Sequence, residues 1–480
     1  MSIVVVGHGM AGTRLVSGIR DRDPTVPITV FGAETHLPYN RVLLSDVLAG
    51  RTRPDQIGLL QPDWYDAHEV TVNLGVQVTH IDRDAKKVVA SNGTVTAFDT
   101  LVLATGSTAI VPPVAGIGAD GRLPRGAMAL RTIDDCIDIM AADRARHCVV
   151  IGGGLLGVEA ARALAGRGLT VTIAHRARHL MERHLDPVAG RILAHTLEGL
   201  GIAARTGAQV TGLRTEMREF ETPTARVTGV ELAGGEVLNA DLVVFACGVK
   251  PQTSLAVAAG LAVDRGIVVD SELRSVTDPS IRALGECAEH DQTVYGLVAP
   301  VWEQAAVLAE LLTDADSTVR YRGSRLVTRL KASDIDLATV GESSRRNDDH
   351  AAEIVQLVDA ARGIYKKLVI ENDRLAGAIL LGDASTIGAI TQLYDNAAPT
   401  PADRIGLLVA DTSRSYDEPA RGDDSATVCH CNNVPKGQIV RALHGSARTV
   451  EDVMASTRAG TGCGTCRNVV ERIVVEFAKV

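Results

Sequence analysis

Residues 3–12 read Ile3-Val4-Val5-Val6-Gly7-His8-Gly9-Met10-Ala11-Gly12, an apolar β run that breaks into glycines at 7, 9 and 12 and opens a helical stretch. In this G-x-G-x-x-G spacing the first glycine permits a tight turn and the second lets backbone approach a pyrophosphate. The third lets helix and strand pack closely. A pyrophosphate is held there by the free N–H groups and dipole of the helix N-terminus. A second β run, Ile28 to Phe31, follows, and Glu34 stands just beyond it, where a carboxylate accepts from ribose hydroxyls. A glycine turn alone can be merely structural; strand, turn, helix, second strand and acid together predict a dinucleotide site.

The same grammar restarts 145 residues on. Val149-Val150-Ile151 leads into Gly152-x-Gly154-x-x-Gly157, an alanine-rich helix to Leu164 and a strand from Thr170 to Ala174. The run from Thr100 to Gly106 closes the first unit, and the run from Asp241 to Pro251 closes the second. Two fingerprints in one chain imply two dinucleotides and electron transfer between them. The second strand of the second unit ends in Ala174-His175-Arg176, with Arg178 close by and no carboxylate. Arginine in that place can hold a 2′-phosphate. Arg176 and Arg178 are therefore candidates for that role or ordinary solvated side chains, and the coenzyme stays open between NADH and NADPH.

Around these units lie 480 residues, 46% of them apolar and 22% charged, enough for about three domains with cores of their own. The net charge of −9, spread without long runs, argues against a nucleic-acid or polyanion partner. The start has no basic segment before its short apolar run, and no stretch approaches 18 uninterrupted apolar residues. A cytoplasmic protein with no membrane partner is expected.

Residues 313–410 change character, with strand-like runs from Leu326 to Lys331, Leu337 to Val340, Lys366 to Ile370 and Ala376 to Leu381. The polar stretch 411–425 reads as a flexible tether. Beyond it, Lys436 to Leu443, Thr449 to Ser456 and Asn468 to Phe477 have helical periodicity, and Thr449-x-x-Asp452 resembles a capping box. Four of the eight cysteines are scattered singly; Cys429, Cys431, Cys463 and Cys466 crowd this last segment as C-x-C and C-x-x-C. Four thiolates bind Zn²⁺ or an iron–sulfur cluster, and C-x-C is tighter than the usual zinc knuckle. From Glu34 to Ser45 there is no cysteine, where flavin disulfide reductases carry their redox thiols. A flavin here must pass its electrons elsewhere.

Residues 1 to about 410 resemble the flavoprotein half of NAD(P)H-dependent nitrite reductase large subunits and the related electron-transfer subunit of assimilatory nitrate reductase. The matching phrases are Pro38-Tyr-Asn-Arg41 with Leu44-Ser45, Leu130-Arg131-Thr132, and Gly152-Gly-Gly-Leu-Leu-Gly-Val-Glu159. Leu180-Met-Glu-Arg183 with Leu185-Asp186, Gly285-Glu286-Cys287-Ala288 and Trp302-Glu303-Gln304 also match. The last 52 residues resemble the bacterioferritin-associated-ferredoxin type of [2Fe–2S] domain through Cys429-x-Cys431 and Gly462-Cys-Gly-Thr-Cys466.

The resemblance implies an α/β fold of two Rossmann-like domains, a small α/β domain and a mainly helical [2Fe–2S] domain. FAD would occupy 1–112 with 247–312, NAD(P)H 113–246, and the small domain 313–410; a linker would span 411–427 and the cluster domain 428–480. FAD would lie on Gly7, Gly9, Gly12 and Glu34, with Thr105-Gly106 and the Gly285-Glu286 turn around the flavin. Arg41, Arg131 and Glu303 fall in segments that line such sites, and Glu159 matches a residue near the nicotinamide. Cys429, Cys431, Cys463 and Cys466 would hold the cluster, and no residue is assigned a catalytic role. Nitrite reductase large subunits continue into a sirohaem region that this sequence lacks, so a separate catalytic subunit is expected. An assimilatory, molybdenum-dependent nitrate reductase is the leading candidate, and a nitrite reductase the next. The rivals are a ferredoxin-reductase-type partner of an oxygenase and a redox sensor or docking protein.

Overall fold

The computed structural model describes residues 1–142, 144–217, 225–345, 351–409, 424, 426–429, 434–445, 447–460 and 466–477. The chain forms two compact units, one of residues 1–42, 53–108 and 249–325, the other of 43–52, 109–248 and 326–480. The expected tether, 411–425, lies outside the described residues apart from 424.

The first unit is built on a parallel five-stranded sheet, in the order Ile281–Ala283, Thr100–Leu103, Ile3–Val6, Ile28–Gly32, Val70–Leu74. Its central strand is buried along its whole length, which is why it reads as an unbroken apolar run rather than an alternation. Val6 sits opposite Phe31 on one side and Leu103 on the other, so both neighbours end level with the glycine turn. The helices Met10–Arg20 and Val298–Thr313 share its core through Leu15, Val16 and Ile19, and through Ala305, Leu308 and Leu312.

The second unit repeats this sheet in the order Ile202–Thr206, Thr170–His175, His147–Ile151, Leu242–Phe245, Ala127–Ala129. The repeat runs further than two βαβ units. In both sheets an antiparallel three-stranded meander is inserted before the strand that closes the unit: Val78–Asp82, Lys87–Ala90 and Val95–Ala97 in one, Val210–Glu216, Arg226–Leu232 and Val237–Asn239 in the other. Only the fifth strand differs in origin, coming from far downstream in the first sheet and from just upstream in the second.

The small domain is an antiparallel five-stranded sheet, Val327–Arg329, Leu337–Gly341, Arg374–Leu381, Ile364–Glu371 and Glu353–Asp359, backed by the helix Ile387–Asp395. Four of these strands are the expected runs; Glu353–Asp359 is an additional edge strand, in which Ile354, Val355, Leu357 and Val358 stand between charged ends. Asp186 joins this sheet to the preceding Rossmann domain. It caps the helix Pro187–Gly199 by accepting from Val188 and Ala189 N–H, and it accepts from the buried Lys367 ammonium at 3.0 Å and from the Tyr365 hydroxyl. Residues 43–52 pack with this unit because Leu44, Val47 and Leu48 are buried and the Leu44 carbonyl accepts from the Cys136 thiol at 3.6 Å.

In the C-terminal segment a hairpin, Thr427–Cys429 with Val434–Pro435, precedes helices Lys436–His444, Val450–Thr457 and Arg467–Phe477. Thr449 and Asp452 form the reciprocal capping box: the Thr449 hydroxyl accepts from Asp452 N–H at 3.1 Å and the Asp452 carboxylate accepts from Thr449 N–H at 2.9 Å. Among the described residues no helix is long and apolar enough to cross a membrane.

Candidate functional site

Each Rossmann sheet ends in a cradle. Gly7 has φ +113°, and a Cβ there would lie 2.1 Å from the Ala104 carbonyl oxygen, so only glycine serves. Gly152 repeats this at φ +114°, against Ala246. A Cβ on Gly12 or Gly157 would fall 2.1 or 1.9 Å from the carbonyl of Gly7 or Gly152, which brings each helix onto its strand. At Gly9 and Gly154 the space is different: a Cβ meets nothing within 4 Å. Each is the N-cap of its helix and makes no side-chain cap to the first-turn N–H groups. Both cradles therefore fit a pyrophosphate.

In the first unit Glu34 is held rather than free. The Tyr39 hydroxyl donates to it at 2.7 Å and Arg41 pairs with its other oxygen, the guanidinium lying over the Tyr39 ring. Two expected residues thus meet, with Tyr39 as a third that no acid-plus-glycine pattern singles out. At the far end of the cradle the Thr105 hydroxyl donates to the Gln252 carbonyl at 2.7 Å, Gly106 has φ +66°, and Ser107 donates to Glu286 at 2.6 Å. Gly285 N–H donates to the buried Gln304 side chain, and a Cβ on Gly285 would sit 3.0 Å from that of Ala11. The Gly285-Glu286 turn is therefore seated against the start of the fingerprint helix. Glu303 accepts from Ser324, whose own hydroxyl contacts Tyr321 at 2.7 Å; burial pushes the Glu303 carboxyl up.

Arg131 falls in the second unit, where its N–H donates to Asp135 at the head of the helix Ile133–Met140. In that unit Glu159 is almost wholly buried one turn into the second fingerprint helix. Burial pushes its carboxyl up, while Lys331, with its N–H at 2.9 Å and its ammonium at 3.9 Å, opposes that shift. Arg176 and Arg178 are exposed and make no ion pair among the described residues. The strand end itself carries no carboxylate, but one reaches it from further along the chain. Glu182, seven residues along, folds back to His175 at 2.9 Å, and His175 in turn accepts from Gly153 N–H at 3.0 Å.

Cys429 and Cys466 are both buried in one core with Val428, Val434, Ile439, Leu443, Val453 and Ile473. Cys431 and Cys463 lie outside the described residues. Two sulfurs turned into a single small core suit a cluster held by thiolates. The other cysteines are inert by burial, which pushes Cys136 and Cys148 up to about 12 and Cys247 up to about 11.

Two pyrophosphate cradles on two parallel sheets define a dinucleotide-dependent oxidoreductase that uses two nucleotide cofactors. Residues 1–307 match the family model "pyridine nucleotide-disulphide oxidoreductase", residues 327–397 the rubredoxin NAD⁺ reductase C-terminal domain, and residues 427–476 the BFD-like [2Fe–2S] binding domain. The chain belongs to the pyridine nucleotide-disulphide oxidoreductase family. It is an NAD(P)H-dependent oxidoreductase whose cofactors are FAD and a [2Fe–2S] cluster. It is 36% identical to nitrite reductase [NAD(P)H] and 35% identical to the assimilatory nitrate reductase electron transfer subunit of Bacillus subtilis, each over 98% of its length. It spans 57% and 59% of those two proteins. Putidaredoxin reductase CamA of Pseudomonas putida is 35% identical over 65% of the chain and 74% of its own length. The structure of the covalent putidaredoxin reductase–putidaredoxin complex superposes with a TM-score of 0.75 at 30% identity, covering 86% of this chain and 96% of that one.

Proposed function

We propose that this chain oxidises NAD(P)H in its second cradle and delivers the electrons singly, through its C-terminal segment, to a separate catalytic reductase. The observation that carries the reading is the presence, in one chain, of two pyrophosphate cradles and a buried pair of thiols. When bound, FAD accepts a hydride and releases electrons one at a time, and a [2Fe–2S] cluster carries one electron.

The residues around those groups have distinct tasks. Gly7, Gly9 and Gly12 admit the FAD pyrophosphate to the helix Met10–Arg20, and Glu34, held by Arg41 and Tyr39, is ready to accept from ribose hydroxyls. Thr105, Gly106, Gly285 and Glu286 bound the flavin end, with Glu303 in a flanking segment. Gly152, Gly154 and Gly157 admit the nicotinamide dinucleotide. Glu159 presents a buried carboxyl whose charge Lys331 can balance, so it can hold a carboxamide by hydrogen bonds without a net charge at the site. Cys429, Cys431, Cys463 and Cys466 hold the cluster.

The acceptor we favour is an assimilatory nitrate reductase dependent on molybdenum, supported by the relative that is itself named an electron transfer subunit. A nitrite reductase is the second choice, on the other Bacillus subtilis relative. The likeness to putidaredoxin reductase favours a ferredoxin-reductase reading of residues 1–410, against which the cysteine module argues.

Anaerobic titration of the purified protein with NADH and NADPH tests the proposal: flavin bands and a broad cluster shoulder should both bleach. Replacing Cys429 and Cys466 by Ser should remove the shoulder and abolish turnover with the reductase partner while sparing nicotinamide-dependent dye reduction. Full partner turnover in that variant would show that electrons leave directly from the flavin and overturn the route.

A further inference from the structure

The two cradles place their ribose acids differently. In the first, Gly75 N–H donates to the carbonyl of Glu34; in the second, Gly207 N–H donates in the same way to the carbonyl of Ala177. Ala177 thus occupies the backbone position of Glu34. The carboxylate arrives from elsewhere. The segment 176–182 returns to the fingerprint loop, where Met181 N–H donates to the Gly153 carbonyl at 2.8 Å. This return sets Glu182 beside His175.

The chemistry of that contact is determined by its other end. Gly153 N–H donates to Nδ1 of His175 at 3.0 Å, so Nδ1 is the acceptor and Nε2 carries the hydrogen of the neutral ring. Nε2 therefore donates to Glu182 Oε2, at 2.9 Å. The imidazole side chain is 9% exposed and the Glu182 side chain 41% exposed, so the carboxylate is oriented by a buried group and still open to a ligand. It stands at the end of the second strand beside the glycine loop, where the adenosine ribose of a dinucleotide lies.

We propose that Glu182, positioned by His175, is the coenzyme-specificity residue of the second cradle: it accepts the ribose diol of NADH and rejects the 2′-phosphate of NADPH. Arg176 and Arg178 point the other way by charge. Both arginines and Glu182 are exposed, but only Glu182 is fixed by a buried imidazole. The arginines make no ion pair among the described residues and must be ordered on binding, so their pairs with a phosphate are screened and worth a few-fold at most. A phosphate beside a fixed carboxylate loses the diol hydrogen bonds and meets a like charge, and the carboxylate prevails. This inference rests on the reading that the second cradle binds the nicotinamide coenzyme.

The test is equilibrium binding of ADP-ribose and 2′-phospho-ADP-ribose to the FAD-loaded protein by titration calorimetry. The protein should bind ADP-ribose about tenfold tighter or more, and Glu182→Gln should bring the two affinities to within roughly threefold of each other. His175→Phe, which fills the same space without a donor, should shift the ratio in the same direction. If it lowers both affinities equally, His175 only packs and its positioning role is refuted. Tighter binding of the 2′-phospho compound, equal binding of the two, or an unchanged ratio in Glu182→Gln overturns the proposal while leaving the second cradle a coenzyme site. If neither compound binds to protein with its FAD complete, the coenzyme reading of that cradle fails, and the specificity role falls with it.

Discussion

The two cradles share a plan and differ by an exchange of one imidazole. In the first, His8 stands between the glycines of the loop and Gly32 ends the neighbouring strand; in the second, the loop has Gly153 and the strand ends in His175. The backbone register makes these pairs equivalent, since Gly7 N–H donates to Phe31 and Gly152 N–H to Ala174, each one residue earlier. A Cβ on Gly32 would lie 2.8 Å from the Cβ of His8, and a Cβ on Gly153 would lie 3.0 Å from that of His175. One ring fills the same space from opposite sides, and the facing position must then be glycine. The environments diverge. His175 is bonded at both nitrogens. His8 reaches Tyr65 at 3.0 Å through Nε2 and leaves a buried Nδ1 without a partner among the described residues. Burial pushes its imidazole down to about 4.

The strongest way to break the equivalence is to fill one cradle at a time. Gly9→Val should yield flavin-free protein, because its side chain takes the pyrophosphate's place; Gly154→Val should keep its flavin and lose nicotinamide-dependent reduction. Absorbance at full flavin occupancy in Gly9→Val, or flavin loss in Gly154→Val, would reverse the assignment of the two cofactors.

A smaller effect reads the buried His8 of the first cradle through pH. The unfolded chain protonates His8 near 6.5, whereas the folded one does so only near 4. Between these values the unfolded state binds more protons, so stability is retained above pH 6.5 and falls as the pH drops toward 4, by up to about 3 kcal/mol. Urea melts of the protein between pH 4 and 7 should show this slope, and His8→Phe should flatten it. A slope that persists in His8→Phe would assign it to other groups.

The third contrast is a mutant cycle. Gly32→Ala should cost about 1–3 kcal/mol, because its Cβ meets His8, and nearly nothing in a His8→Gly background. Additive costs would show that the two positions are not coupled. The smallest effect concerns the ribose acid of the first cradle. Tyr39→Phe removes one donor to a partly exposed Glu34 and should weaken flavin binding by roughly tenfold or less. An unchanged flavin dissociation constant would leave Arg41 as the group that orients that acid.

Much of this architecture was legible along the chain. The buried strands Ile3–Val6 and His147–Ile151 announce themselves as apolar runs ahead of glycines, and the helices of the cysteine module follow their periodicity to within a residue or two. The edge strand Glu353–Asp359 has apolar residues of its own, Ile354, Val355, Leu357 and Val358, but in adjacent pairs rather than in the strict alternation that marks a half-buried strand. Residues 43–52 belong with the second unit although their neighbours on both sides belong to the first, a distinction that no local composition encodes.

Sequence by itself determined the two glycine fingerprints, the acid Glu34 and the cysteine spacing, because each is a short pattern whose geometry is set by a few covalent steps of the chain. Only the tertiary structure decided that Tyr39 and Arg41 clasp Glu34, that Lys331 faces Glu159, and that Glu182 returns to His175. Those pairings depend on where a loop comes back to the sheet. That path is set by the packing of buried side chains such as Leu180 and Met181, and not by the residues that finally meet.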